Sequence, residues 1–140
     1  ASPSAPIWRT AMKLSERLLA GDGPDRELDG EITFDLYAKP VGKKPDGGPV
    51  GYLWPEDNPS WNLGIRFSGW TREAINNNRR GHGETILIER DRGLVLMNDL
   101  RVKPFTTSLD AALSLYPVKP HTIPTNPRKA AAEALEQRGL

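Results

Sequence analysis

The chain has 140 residues, no cysteine and a formal charge of +1. That length suits one domain with an ordinary buried core, and the lack of cysteine excludes disulfides, thiolate metal sites and thiol nucleophiles. No apolar run approaches the roughly 20 residues that cross a bilayer, so a membrane partner is not expected.

The opening ASPSAPIW lacks the charged and then apolar build of a signal peptide. Residues 1–6 read as a flexible arm ahead of a single α+β domain over 7–140, with the cytoplasm as the expected location. Residues 7–20 follow as an amphipathic helix. Trp8, Ala11, Met12, Ser15, Leu18 and Leu19 share one face at i, i+3, i+4 spacing, and Gly21 ends it. DRELDGEITFDLYA offers two periods. Ile32, Phe34 and Leu36 alternate as in a strand, whereas Leu28, Ile32 and Leu36 are four apart. Pro24, Asp25 and Glu27 suit a helix N-terminus, which decides for helix, although Gly30 in its middle costs about 1 kcal/mol against alanine.

From Ala38 to Pro49 a Pro/Gly/Lys loop carries no period. Residues 50–54 and 62–67 read as short strands flanking a tryptophan loop broken by Pro55 and Pro59. A helical turn starts at Thr71 and ends in asparagines and glycines. ETILIER and GLVLMND form the clearest β-hairpin, around an Asp91-Arg92-Gly93 turn. Apolar residues are consecutive in both arms, so both faces are expected to be covered by helices. FTTSLDAALSLYP reads as a helix capped by Thr107 with Asp110, with Leu109, Ala112, Leu113 and Tyr116 on one face and Pro117 as its stop. The last helix takes Asn126 as N-cap, Pro127 at the first position and Gly139 as its end. The order predicts an α+β fold, a small, largely antiparallel sheet covered by helices in the manner of an α-β-α sandwich.

Two stretches, RLLAGDGPDRELDGEI and TTSLDAALSLYP with TIPTNPRKAAAEALEQR, resemble the phage ABA (α-β-α) sandwich domain, a family of small bacteriophage and prophage proteins. Gly23, Pro24, Arg26, Glu27, Leu28 and Asp29 match its G-P-x-R-E-L-D helix start. Residues 108–113 with Leu115 and Pro117 match its S-L-D-A-A-L-x-L-[VY]-P helix, and 131–135 with Arg138 its alanine-rich ending. The resemblance covers the two ends, about half the chain, and departs over residues 38–103. It implies a sandwich fold and a phage-encoded accessory protein in the host cytoplasm. Such a protein modulates or inhibits a host protein, for example in antiviral defence, and the resemblance carries no biochemical activity.

Three of the four tryptophans, Trp54, Trp61 and Trp70, fall within seventeen residues. Trp70, beside Phe67 and ahead of a helix start, reads as core. Trp54 and Trp61 bracket PEDNPS and read as the exposed part of a binding loop, because tryptophan is enriched at interfaces. Residues 1–37 carry four Lys/Arg against seven Asp/Glu, and residues 61–103 carry eight against five. Arg66, Arg72, Arg79 and Arg80 thus join Trp54 and Trp61 as the expected partner-binding set, with a host or phage protein as partner. The alternative ligand is a nucleic acid or nucleotide, since guanidinium forks clamp phosphates while aromatic faces stack bases. The weaker alternative is a metal-dependent hydrolase using His82, Glu84 and His121, which lacks a credible ligand spacing. Without a nucleophile–base pair or a phosphate-binding glycine motif, binding rather than catalysis is the expected function, with no cofactor.

Overall fold

Consecutive apolar residues in a strand point to opposite sides, so ILI and LVLM demand cover on both faces of the sheet they enter. The computed structural model describes residues 12–40, 50–53, 62–78, 85–90 and 93–140. It divides into two units, Ala1–Asp29 with Lys103–Leu140, and Gly30–Val102. The sheet belongs to the second unit. Its strands are β1 (Lys39–Pro40), β2 (Val50–Leu53), β3 (Asn62–Ser68), β4 (Thr85–Arg90) and β5 (Gly93–Asn98). Their order is β1-β2-β3-β5-β4, and every neighbouring pair is antiparallel. The fold is α+β, and the hairpin read from the sequence is β4–β5.

Each face has its own cluster. Ile86, Ile88, Val95, Met97 and Val102 pack on one side with Phe34 and Ala38. Leu87 and Leu94 pack on the other with Ile75, Phe67 and Leu96. Phe34 lies on α2 (Arg26–Tyr37), and Ile75 on α3 (Arg72–Asn78), whose cap is the Thr71 hydroxyl accepting from the Ala74 amide at 3.1 Å. The strand-like alternation of Ile32, Phe34 and Leu36 therefore loses to the helical period. Gly30 is the reason that α2 lies so near the sheet. A Cβ there would stand 3.1 Å from Ile88 Cγ2, 3.3 Å from Ile86 Cγ2 and 3.4 Å from Met97 Sδ. Arg90 holds the same helix by charge, pairing with Glu31 at 3.6 Å and with Asp35, its guanidinium 5.2 Å from the centre of the Phe34 ring.

The first unit contains α1 (Leu14–Leu19), the start of α2, α4 (Leu109–Leu113) and α5 (Pro127–Gln137). Ala130, Ala131, Ala132, Ala134 and Leu135 are buried along α5, which packs against α1 and α4. Small side chains on one stripe allow that approach. Asn126 caps α5 by accepting from the Lys129 amide at 3.2 Å, and Pro127 stands first, as the sequence indicates. Gly139 ends it, with the Leu140 amide donating to Leu135 at 2.9 Å in a Schellman closure.

Three local readings need correction. The cap of α4 is Ser108, whose hydroxyl accepts from the Ala111 amide at 3.2 Å, rather than Thr107. The buried face of α1 is Leu14, Ser15, Arg17 and Leu18, while Leu19 is exposed. A six-residue helix shows one stripe only, and Leu14 and Leu18 are one turn apart on it. Met12 precedes the N-cap Lys13, and Trp8 lies outside the described residues.

Gly30→Val adds a Cβ and two methyl groups where the Cβ alone is already tight. The variant is expected to lose about 1 to 3 kcal/mol of stability through overpacking, despite better helix propensity. Chemical denaturation at neutral pH measures this, and equal midpoints for the two proteins contradict the close approach.

Candidate binding surface

The antiparallel register decides which side chains share a face. Ile65 pairs with Leu96 and Phe67 with Leu94, so both lie on the α3 side of the sheet. On its other flank Ile65 faces Gly51, which has no side chain, and Ile65 remains 38% exposed. Beyond Ser68 the chain turns at Gly69, whose φ of +80° lies in the left-handed region that glycine enters without a Cβ clash. Trp70 follows, outside β3 and before the Thr71 cap. Its ring centre is 5.3 Å from that of Phe67 at 51°, and the residue is 46% exposed.

Trp70 is therefore not the core member that its position beside Phe67 predicts. The turn at Gly69 takes it out of the strand, and Ile75 fills the space beneath α3 instead. The result is a partly exposed apolar strip of Ile65, Phe67 and Trp70 along one side of β3.

The two described arginines of the expected set do not join it as a clamp. Arg66 pairs with Val95, so its side chain belongs to the opposite face, with its Cγ 3.4 Å from where a Cβ on Gly93 would stand. Its Nε is buried, with no hydrogen-bond partner among the described residues. Arg72, at the start of α3, donates from Nη1 to the Leu87 carbonyl at 3.4 Å. Trp54, Trp61, Arg79, Arg80, His82 and Glu84 lie outside the described residues. His121 is exposed on a loop, and among the described residues no group of three or more His, Asp or Glu side chains is placed to hold a metal.

The sequence reading missed the polar groups that tie the first unit together. Asp25 caps α2 by accepting from the Leu28 amide at 3.0 Å, and its own amide donates to Thr106 Oγ1 at 3.1 Å. The Thr106 amide donates in return to Asp29 Oδ1 at 2.8 Å, while Arg26 holds Oδ2 at 2.9 Å. Burial raises the Asp29 carboxyl above its ordinary value, opposed by these bonds from Thr106 and Arg26. Arg128, also buried, donates to the carbonyls of Gly23 at 2.9 Å, Leu18 at 3.1 Å and Asp22 at 3.5 Å. A cleft of about 400 Å³ opens there between the Gly21–Gly23 loop, Thr106, Thr107 and the start of α5. Arg138 similarly serves the Leu115 carbonyl at 2.7 Å. Apart from the local Asp25–Leu28 and Arg26–Asp29 bonds, these join residues 23 to 110 positions apart, for which sequence offers no period.

No known protein-family profile, curated protein or solved structure matches this chain.

Two outcomes follow from these geometries. A variant with Trp8, Trp54 and Trp61 changed to Phe keeps Trp70 as its sole indole. Its fluorescence is expected to be quenched readily by acrylamide in the folded protein, and a shielded indole would contradict the exposed position.

Tyr116 donates to Glu133 Oε2 at 3.0 Å, and burial, with the Glu133 bond and charge, pushes the phenol up to about 12 from 10.0. The folded value lies above the unfolded one, so the folded state keeps a proton that the unfolded state releases. Its contribution to stability is present below pH 10 and is lost as pH rises to about 12. The difference between wild type and Tyr116→Phe in denaturation midpoint is expected to shrink across that window. A constant difference across it would show that the phenol is not held protonated.

Proposed function

We propose that the chain acts by binding a protein partner rather than by catalysis, and that Phe67 and Trp70, flanked by Ile65, form the anchor of that surface. The observation that carries this reading is the 46% exposed Trp70 ring resting on Phe67. An indole supported from below loses little conformational entropy when a partner covers it, and its large apolar area then leaves water. The sequence places Trp54 and Trp61 before this strip and Arg79 and Arg80 after it as further contacts for the same partner.

The family resemblance supports the kind of partner. Gly23, Arg26, Leu28, Asp29, Ser108, Leu135 and Arg138, which carry it, serve as a cap, as buried packing or as hydrogen-bond donors and acceptors within the first unit. They speak for architecture and leave the middle of the chain free to vary with the partner. On that resemblance the partner is a host protein, met in the cytoplasm of an infected cell, and the effect is modulation or inhibition. Nucleic acid gains less support. Arg66 lies on the face opposite Phe67, and Arg72 is engaged with a backbone carbonyl.

The test is affinity capture from infected and uninfected host cells with wild type and Trp70→Ser, after both are shown to melt cooperatively. Loss of half an indole's burial is expected to cost the fold about 1 to 2 kcal/mol. Loss of the anchor is expected to weaken capture by about 2 kcal/mol or more, roughly thirtyfold. Equal capture by both proteins rejects this surface. Capture that vanishes on nuclease treatment, or falls steeply between low and physiological salt, assigns the ligand to nucleic acid instead.

A further inference from the structure

The cleft of about 400 Å³ in the first unit has the volume of a small-molecule site. Three segments far apart in sequence enclose it: the end of α1 with its Gly21–Gly23 loop, Thr106 with Thr107, and the start of α5. Each is fixed by bonds within the unit. Arg128 ties the loop to α5, Asn126 caps that helix, and Thr106 is bonded to Asp25 and Asp29. The walls are therefore set before any ligand arrives, which lowers the cost of binding.

Arg128 is the unusual group here. It is 8% exposed and forms no ion pair among the described residues. Its partners are the neutral carbonyls of Leu18, Asp22 and Gly23, which leave part of the guanidinium's N–H fork unspent. Gly21 makes room for that fork, since a Cβ there would stand 3.0 Å from Nη1. A buried charge is ordinarily matched by an opposite one, so this cation points to an anion that the fold does not supply. The same cleft carries a second cation and a hydroxyl. Lys129 is exposed, and only its amide is bonded among the described residues, to the Asn126 cap. The Thr107 hydroxyl makes one long donation, 3.5 Å, to the Pro104 carbonyl. Among the described lining residues Asp22 is the one acid, exposed and outside any ion pair, so the two cations leave the cleft net positive.

We propose that this cleft binds a small phosphate-bearing molecule. Its phosphate meets Lys129, Thr107 and the unspent side of Arg128, and its remainder rests on Leu19 and Pro127. A phosphate presents acceptors in several directions, which suits an ammonium, a hydroxyl and a guanidinium brought from different segments. A carboxylate presents its acceptors in one plane. The start of α5 adds its partial positive charge to the same place. The site lies wholly within the first unit and does not depend on the Trp70 surface.

Isothermal titration calorimetry of the full chain with glycerol 3-phosphate, at constant ionic strength, tests this. Saturable binding at one site is expected, with inorganic phosphate competing and glycerol alone giving no heat of binding. Lys129→Gln is expected to weaken it at least about tenfold, and Thr107→Val about threefold or more. Both residues are exposed, and removing a cation from the first turn of a helix does not cost the fold. Lys119→Gln removes an exposed charge of the same unit outside this cleft, and is expected to leave affinity unchanged. The proposal is overturned if no saturable binding occurs up to about 10 mM. It is equally overturned if Lys119→Gln weakens binding as much as Lys129→Gln does, or if acetate competes as well as phosphate.

Discussion

Ile86, Ile88, Val95 and Met97 fill one side of the β4–β5 hairpin, and Leu87 and Leu94 fill the other. Neither side can face water without exposing several large aliphatic groups, each worth about 1.5 to 3 kcal/mol when buried. Two layers must therefore flank these strands, and the arrangement of the sheet unit follows. α2 comes close enough to cover the first side because Gly30 leaves it bare of a Cβ there. α3 covers the second with Ile75, and it is short, so its cover stops at Phe67 and Leu96. What α3 does not reach, Ile65 and the ring of Trp70, stays partly in solvent.

The first unit solves a different problem: Phe105, Leu18, Leu28 and Leu115 fill its core, and α5 adds little apolar volume per turn. Its last helix is lined with alanine, which brings backbones together and leaves polar groups to be satisfied at close range. Arg128 and Arg138 do this by donating to carbonyls, and Thr106 does it from both its hydroxyl and its amide. An arginine spent on carbonyls at the end of a helix meets acceptors that the helix itself cannot bond. The same economy makes a buried aspartate tolerable at position 29, where a backbone amide and a guanidinium share its two oxygens.

These two solutions divide the candidate chemistry. Groups that look functional by residue type are occupied within the fold: Asp29 and Arg128 hold backbone, and Arg26 holds the Asp29 carboxylate. Arg72 belongs with them, since its guanidinium rests on a strand edge. The strip along β3 is instead aromatic and aliphatic, with Ile65 and Trp70 exposed.

Local signals were written plainly in the chain. Asn126 and Pro127 announced the last helix, consecutive aliphatics announced a hairpin covered on both faces, and a period of four decided α2 over a strand. These depend on residues within a turn or two of one another, where backbone geometry alone sets the outcome. The competing choice of Thr107 over Ser108 as a cap shows the limit even there, since both can bond an amide and only the path from Pro104 selects between them. Trp70 marks the larger limit. Phe67 stands three residues before it, yet Gly69 turns it away from the strand and Ile75, five residues on, takes the buried place. Whether a side chain is covered depends on which distant segment arrives above it, and so does whether Arg66 and Arg72 share a face. Sequence determined the β4–β5 hairpin, the two long helices, the Asn126 cap and the need for two covering layers. Tertiary structure alone decided which aromatic stayed exposed and which arginines were already engaged, because burial and long-range hydrogen bonds are made between segments that carry no record of one another.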